Sequence, residues 1–141
     1  MTNKKELKGT NNLLETITTI SDCLIRIWSD SIDIGVLLKK SCDCISKNSN
    51  SVGKISVRIL FEDKEYKSEK YSESPAFVSQ IIEINKKQGG EFTVFFHSKV
   101  SEKEIPDETN SFLRYLNVLL TGLISQHRLN KLQNEYKERL K

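Results

Sequence analysis

The chain has 141 residues, of which 37% are hydrophobic and 29% charged, and 22 Lys and Arg against 19 Asp and Glu give a formal net charge of +3. That length suits one domain, leaves no room for a second with its own cofactor fold, and the composition is globular rather than disordered. The positive excess is too small for the basic surface of a dedicated nucleic-acid binder, and all of it lies in residues 126–141, because residues 1–125 hold 17 basic and 17 acidic side chains.

The first ten residues are polar and read as a frayed, flexible start. Leu13, Ile17, Ile20, Leu24 and Ile27 then recur at steps of four and three, the a/d repeat of a helix that can enter a coiled coil. Asn11 or Asn12 is the expected cap. Leu14, Ile25 and Trp28 widen the apolar surface, so this helix is expected to touch both its own domain and a partner. Trp28-Ser29-Asp30-Ser31 reads as a break, with Ser31 or Asp33 capping a second helix over Ile34 to Ile45 whose apolar face is Ile34, Leu37, Leu38, Cys42 and Ile45. Lys47 to Ser51 is a loop by composition.

The period then changes to two. Ile55, Val57, Ile59 and Phe61 alternate with mostly polar neighbours, as in a half-buried strand. Glu62-Asp63-Lys64 is a turn and Glu65-Tyr66-Lys67 the return strand, followed by a polar loop from Ser68 to Pro75. Phe77 to Ile84 is a third strand. Asn85 to Gly90 is expected as a turn with glycines supplying positive φ, leading into a fourth strand from Glu91 to Phe96. Val100 to Glu104 is a charged loop. Asp107 or Thr109 is expected to cap a last helix running from Asn110 to Lys141, ~48 Å long at 1.5 Å per residue. That helix is apolar on more than one face from Phe112 to Ile124. Beyond it only Leu129, Leu132, Tyr136 and Leu140 remain, along one narrow side. Helix, helix, strands and a long helix make an α+β domain with helices on one face of an antiparallel sheet.

The run Ile55-Ser56-Val57-Arg58-Ile59-Leu60-Phe61-Glu62-Asp63-Lys64-Glu65-Tyr66 resembles the first hairpin of the compact GAF-like domain of bacterial and archaeal sensor histidine kinases. Tyr71-Ser72-Glu73-Ser74-Pro75-Ala76-Phe77 is similar to the segment that follows it there. Gly89-Gly90 leading into Phe92-Thr93-Val94-Phe95-Phe96 looks like the family's closing hairpin, and Ile105-Pro106 to Leu113 like the lead into its long helix. Lys64, Phe77 and Ile105 stand where the family commonly has glycine, tryptophan and glycine. The resemblance covers residues 12–141. It implies a GAF-like domain over residues 11–125, with the end of a signalling helix or coiled coil in 126–141. It further implies a homodimer held by its first and last helices, a small-molecule ligand of unknown identity on the other face of the sheet, and a downstream kinase or effector domain. Leu13, Ile17, Ile20, Leu24, Leu116, Leu120, Leu123, Leu129 and Leu132 are the expected dimer-helix residues.

Arg58 sits on the polar side of its strand and is expected to pair with Glu65 or to meet an anionic ligand. His97, at a strand end, is a candidate haem or metal ligand set against a local hydrogen bond. His127 lacks the surroundings of a phosphoaccepting histidine and reads as a helix-interface residue. Cys42 and Cys44 point ~200° apart on a helix and cannot readily share a metal. Cys44 is expected to be partly exposed and is a candidate for covalent cofactor attachment, while Cys23 reads as a packing residue. No phosphate-binding loop, nucleophile elbow, paired-carboxylate or zinc motif occurs, and no kinase motif is present, so the chain is not expected to be an enzyme. No run approaches the ~18 apolar residues of a membrane span. The polar start is unlike a secretory signal, and three cysteines, an odd number, favour a reducing cytoplasm. The other function class is a nucleic-acid-associated regulator, with Arg128, Lys131, Lys137, Arg139 and Lys141 contacting phosphates. Glu135, Glu138 and a single aromatic, Tyr136, make it the weaker reading.

Overall fold

A computed structural model describes the backbone of residues 4–29, 33–49, 53–97 and 107–140, and within those ranges the side chains from residue 13 onward. Among the described residues, three helices, α1 (Lys4–Trp28), α2 (Ile34–Lys47) and α3 (Asp107–Arg139), accompany four strands, β1 (Ile55–Phe61), β2 (Lys64–Lys67), β3 (Phe77–Ile84) and β4 (Lys87–Phe96). The strands form one antiparallel sheet in the order β2-β1-β4-β3. α2 packs on β1 and β2, α3 packs on β3, and α1 packs against both helices. The α+β class with helices on one face of the sheet is as expected.

The strand period explains the core. Ile55, Val57, Ile59 and Phe61 of β1 meet Phe92, Val94 and Phe96 of β4 on the helix side. Ile20 and Leu24 of α1, Leu37, Leu38 and Ile45 of α2, and Phe112, Leu113, Leu116, Leu120 and Ile124 of α3 close over them. A buried Leu, Ile or Phe side chain contributes roughly 1.5–3 kcal/mol relative to exposure. Trp28 joins this core with its polar atom satisfied, since Nε1–H donates to Ser41 Oγ (2.8 Å), whose hydroxyl donates to the Leu37 carbonyl (2.7 Å).

Element ends differ from expectation in instructive ways. α1 is already helical at Lys4, so Asn11 and Asn12 lie inside it rather than capping it. Lys4, Lys5, Glu6, Leu7 and Lys8 are all strong helix formers. Asp33 does cap α2, its carboxylate accepting from Gly35 N–H (3.1 Å), whereas Ser31 lies outside the described residues. So do residues 50–51, the Val100–Glu104 loop and Ile105-Pro106. α3 begins at Asp107, which with Glu108 occupies its first turn, where acidic side chains suit the helix dipole. Thr109 is buried within that first turn instead of capping it.

Gly89 and Gly90 do not form the β3–β4 turn. The β3–β4 turn is made by Asn85 (φ 54°) and Lys86 (φ 63°), and both glycines lie within β4. Gly90 faces Phe61 across the sheet, and a Cβ there would stand 2.0 Å from the Leu60 carbonyl oxygen. The glycine therefore serves close approach of two strands rather than backbone handedness. Ile82 pairs with Gly90 and Glu83 with Gln88, so Gly89 is the extra, unpaired residue of a bulge in β4 itself.

Candidate functional site

α3 has two opposed apolar faces. One is the core face, ending at Ile124. The other runs Tyr115, Val118, Gly122, Ser125, Leu129, Leu132 and Tyr136, at alternating steps of three and four, the repeat that keeps one seam in line along a helix. At 100° per residue this seam lies on the side of α3 opposite the core face. Its large members are exposed: Val118 at 70%, Leu132 at 62% and Tyr136 at 64%, with Tyr115 and Leu129 about half exposed. Gly122 stands at its centre. Its helical position needs no glycine, and a Cβ there would meet nothing within 4 Å.

The nine residues expected to hold a dimer separate accordingly. Ile20, Leu24, Leu116 and Leu120 are wholly buried within the chain and leave no surface for a second copy. Leu13, Ile17 and Leu123 are half-buried against the same core. Leu129 and Leu132 alone of the nine project into solvent. The reason is packing: the strongest apolar stripe on each terminal helix goes into its own domain's core, against the other helices for α1 and against the sheet and α1 for α3, and what faces outward is the weaker stripe. On α1 that stripe contains Leu14 and Ile25. Tyr115, Val118 and Gly122 were missing from the expected set. Their signal was the unbroken three-four spacing upstream of Leu129, hidden by the denser leucines beside it.

The place where α3 leaves the domain is tied down by three elements. His127 packs edge-on against Trp28 at the end of α1, with ring centroids 5.9 Å apart. The Arg128 guanidinium lies 5.0 Å from the centroid of the Phe61 ring and pairs with Glu62 in the β1–β2 turn. That turn is itself held in a left-handed conformation at Glu62 (φ 51°) and Asp63 (φ 64°). Higher on the helix, the Ser21 hydroxyl of α1 donates to Tyr115 Oη (3.2 Å). From Leu129 onward every described α3 side chain is exposed.

The ligand candidates are engaged internally. Arg58 lies opposite Lys67, not Glu65, which faces Leu60 instead. Its guanidinium stands 5.5 Å from the Phe95 ring centroid and 3.5 Å from Glu73. Tyr71 packs edge-on against the same Phe95 ring. Arg58 thus pins the loop after β2 across the far face of the sheet. Its Nε is buried, and among the described residues no acceptor meets it. His97 Nε2 shares a hydrogen bond with Ser56 Oγ (2.8 Å) and approaches Ser72 Oγ (3.4 Å), while Ser72 N–H donates to Ser56 Oγ. It works as a second pin on that loop.

Cys44, expected to be partly exposed, is only 5% exposed, because it faces α1 while Cys42 faces the sheet. Burial pushes the Cys42 thiol up to about 12 and drives the Cys44 thiol up as well. Neither is a ready nucleophile for attaching a cofactor. Among the described residues no group of three or more His, Cys, Asp and Glu side chains converges as a metal site.

An open groove between α2 and β2 is lined by Asp33, Gly35, Lys39, Tyr66, Lys67 and Tyr71. Lys39 spans it, binding Asp43 (3.2 Å) and the Lys67 carbonyl. No described helix is long and apolar enough to cross a membrane. Of the basic residues at the end of α3, Arg128 is committed to Glu62, and Lys131, Lys137 and Arg139 alternate with Glu135 and Glu138. Lys141 lies outside the described residues. Compared with protein-family models, curated proteins and solved structures, the chain matches none, so the GAF-like resemblance rests on the quoted residues alone.

Proposed function

We propose that the chain is a non-catalytic sensory and dimerisation module of a cytoplasmic two-component signalling protein, with a GAF-like domain over residues 11–125. Two copies associate through the outward faces of their terminal helices. A ligand or partner that favours one packing of those helices shifts the pair, and α3 carries the shift to a downstream kinase or effector domain.

The observation that carries this reading is the tail of α3. Residues 129–139 continue a helix away from the domain with Leu129, Leu132 and Tyr136 uncovered. An isolated helical segment shorter than ~12–15 residues is marginal in water, and an exposed apolar seam at heptad spacing gains its stability from a second helix. The ties from His127 to Trp28 and from Arg128 to Glu62 support the relay. They connect the outgoing helix to both α1 and the sheet, so movement of either is felt at the exit. Sedimentation velocity of the full chain at micromolar concentration tests the reading. A dimer is expected, and a strict monomer with α3 intact would refute it.

A further inference from the structure

We infer that Cys23 and Cys44 are a thiol pair that a low-molecular-weight disulfide converts into an intramolecular disulfide, stapling α1 to α2. This inference is independent of the proposed signalling role. Cys44 Sγ lies 3.8 Å from the Ile20 carbonyl oxygen of α1. Cys23 follows Ile20 by three residues on the same helix face, and a helical side chain leans back over the turn N-terminal to its own Cα. That lean carries the Cys23 side chain toward the Ile20 carbonyl and so toward Cys44, whose thiol pKa is raised by burial first and by the nearby Cys23 second. Cys42 does not compete. It lies on the other side of α2, wholly buried, with its Sγ on the Tyr66 carbonyl (3.6 Å).

The pair is asymmetric in a way that orders the chemistry. Cys23 is half-buried and reachable from solvent, whereas Cys44 is enclosed. The Cys23 thiolate attacks one sulfur of the small disulfide, forming a mixed disulfide and expelling one thiolate. Cys44 then loses its proton and attacks the Cys23 sulfur, expelling the second thiolate. Two protein thiols are oxidised to one disulfide, one small disulfide is reduced to two thiols, and the two protein thiol protons pass through solvent to the two leaving thiolates. Burial raises the Cys44 thiol and makes the second step the slower one. The product ties residues 23 and 44 across the helix pair and leaves the outer face of α3 untouched.

The experiment treats the full folded chain with oxidised glutathione and follows intact mass, peptide maps and thermal unfolding. The expected product has lost two hydrogens and yields one linked peptide joining Cys23 to Cys44. Its thermal midpoint rises by roughly 10 °C, as closure of a loop of this size implies, and dithiothreitol reverses the change. Cys23→Ser abolishes the product, and Cys42→Ala retains it. If Cys42→Ala does not fold, the wild-type peptide map decides which pair is linked. A stable glutathione adduct on Cys23 with Cys44 still alkylatable in denaturant, a link containing Cys42, a bond between two chains, or no reaction would each overturn the inference.

Discussion

Leu120 and Leu132 belong to the same helix, twelve residues apart, yet the structure assigns them opposite work. Leu120 is wholly buried under the sheet, and Leu132 is 62% exposed on the outer seam. Leu120→Ala removes core side-chain volume, and such truncations cost about 2–5 kcal/mol. The denaturation midpoint of the domain should fall accordingly. Leu132→Ala should leave monomer stability within a few tenths of a kcal/mol. Its cost appears on association. Truncation removes about three carbons at ~0.8 kcal/mol each, about six-tenths of that area is newly covered in a dimer, and two copies contribute, giving roughly 3 kcal/mol, or on the order of 100-fold in Kd. Urea denaturation monitored by circular dichroism, paired with sedimentation equilibrium, separates the two effects. The reasoning is refuted if Leu132→Ala lowers the denaturation midpoint of the monomer as much as Leu120→Ala does, or if Leu120→Ala weakens association while leaving the fold unchanged.

Gly90→Ala places a Cβ against the Leu60 carbonyl, so β1 and β4 must separate. A loss of at least ~3 kcal/mol is expected in chemical denaturation, and a variant of wild-type stability would contradict the account of that strand pair. Gly122→Ala, with open space around its Cβ, should stabilise the monomer by ~0.5–1 kcal/mol through helix propensity, while weakening a dimer whose helices approach closely there. Thermal unfolding at low and high protein concentration distinguishes the two. The Cys42 thiol is raised in the fold from its ordinary value of 9.0 to about 12, so the folded state keeps a proton that the unfolded state loses. Its stabilising contribution is full below pH 9 and is lost as pH rises toward 12, by up to ~1.4 kcal/mol per pH unit. Cys44 adds to the same trend. Denaturation midpoints across alkaline pH should fall more steeply for the wild type than for Cys42→Ser, and parallel curves would refute the assignment.

The strands were legible because burial on one face of a sheet forces a period of two. β1 runs over Ile55–Phe61, as the alternation predicts, and β3 over the expected Phe77–Ile84. Gly89-Gly90 misled because a glycine wanted for close approach is indistinguishable, in sequence, from one wanted for positive φ. Asn85 and Lys86 supply that φ instead. On the terminal helices the heptad spacing was visible, but spacing alone does not say which stripe meets the sheet. The densest stripe, Leu116 and Leu120, went inward, and Tyr115 to Tyr136 was left outside. Arg58 was visible as an oddity on its strand, but its partners Glu73 and Phe95 depend on strand register and on a returning loop. The inferred Cys23–Cys44 pair joins residues on separate helices, and no motif links them.

The outer seam of α3 is most directly tested by amide hydrogen exchange of residues 129–139 in the full chain across a dilution series. A tail held by a second copy is protected at high concentration, and its protection falls on dilution while β1 and β4 stay protected. Exchange of these amides at unprotected rates at every concentration, with the domain fully folded, would contradict the account.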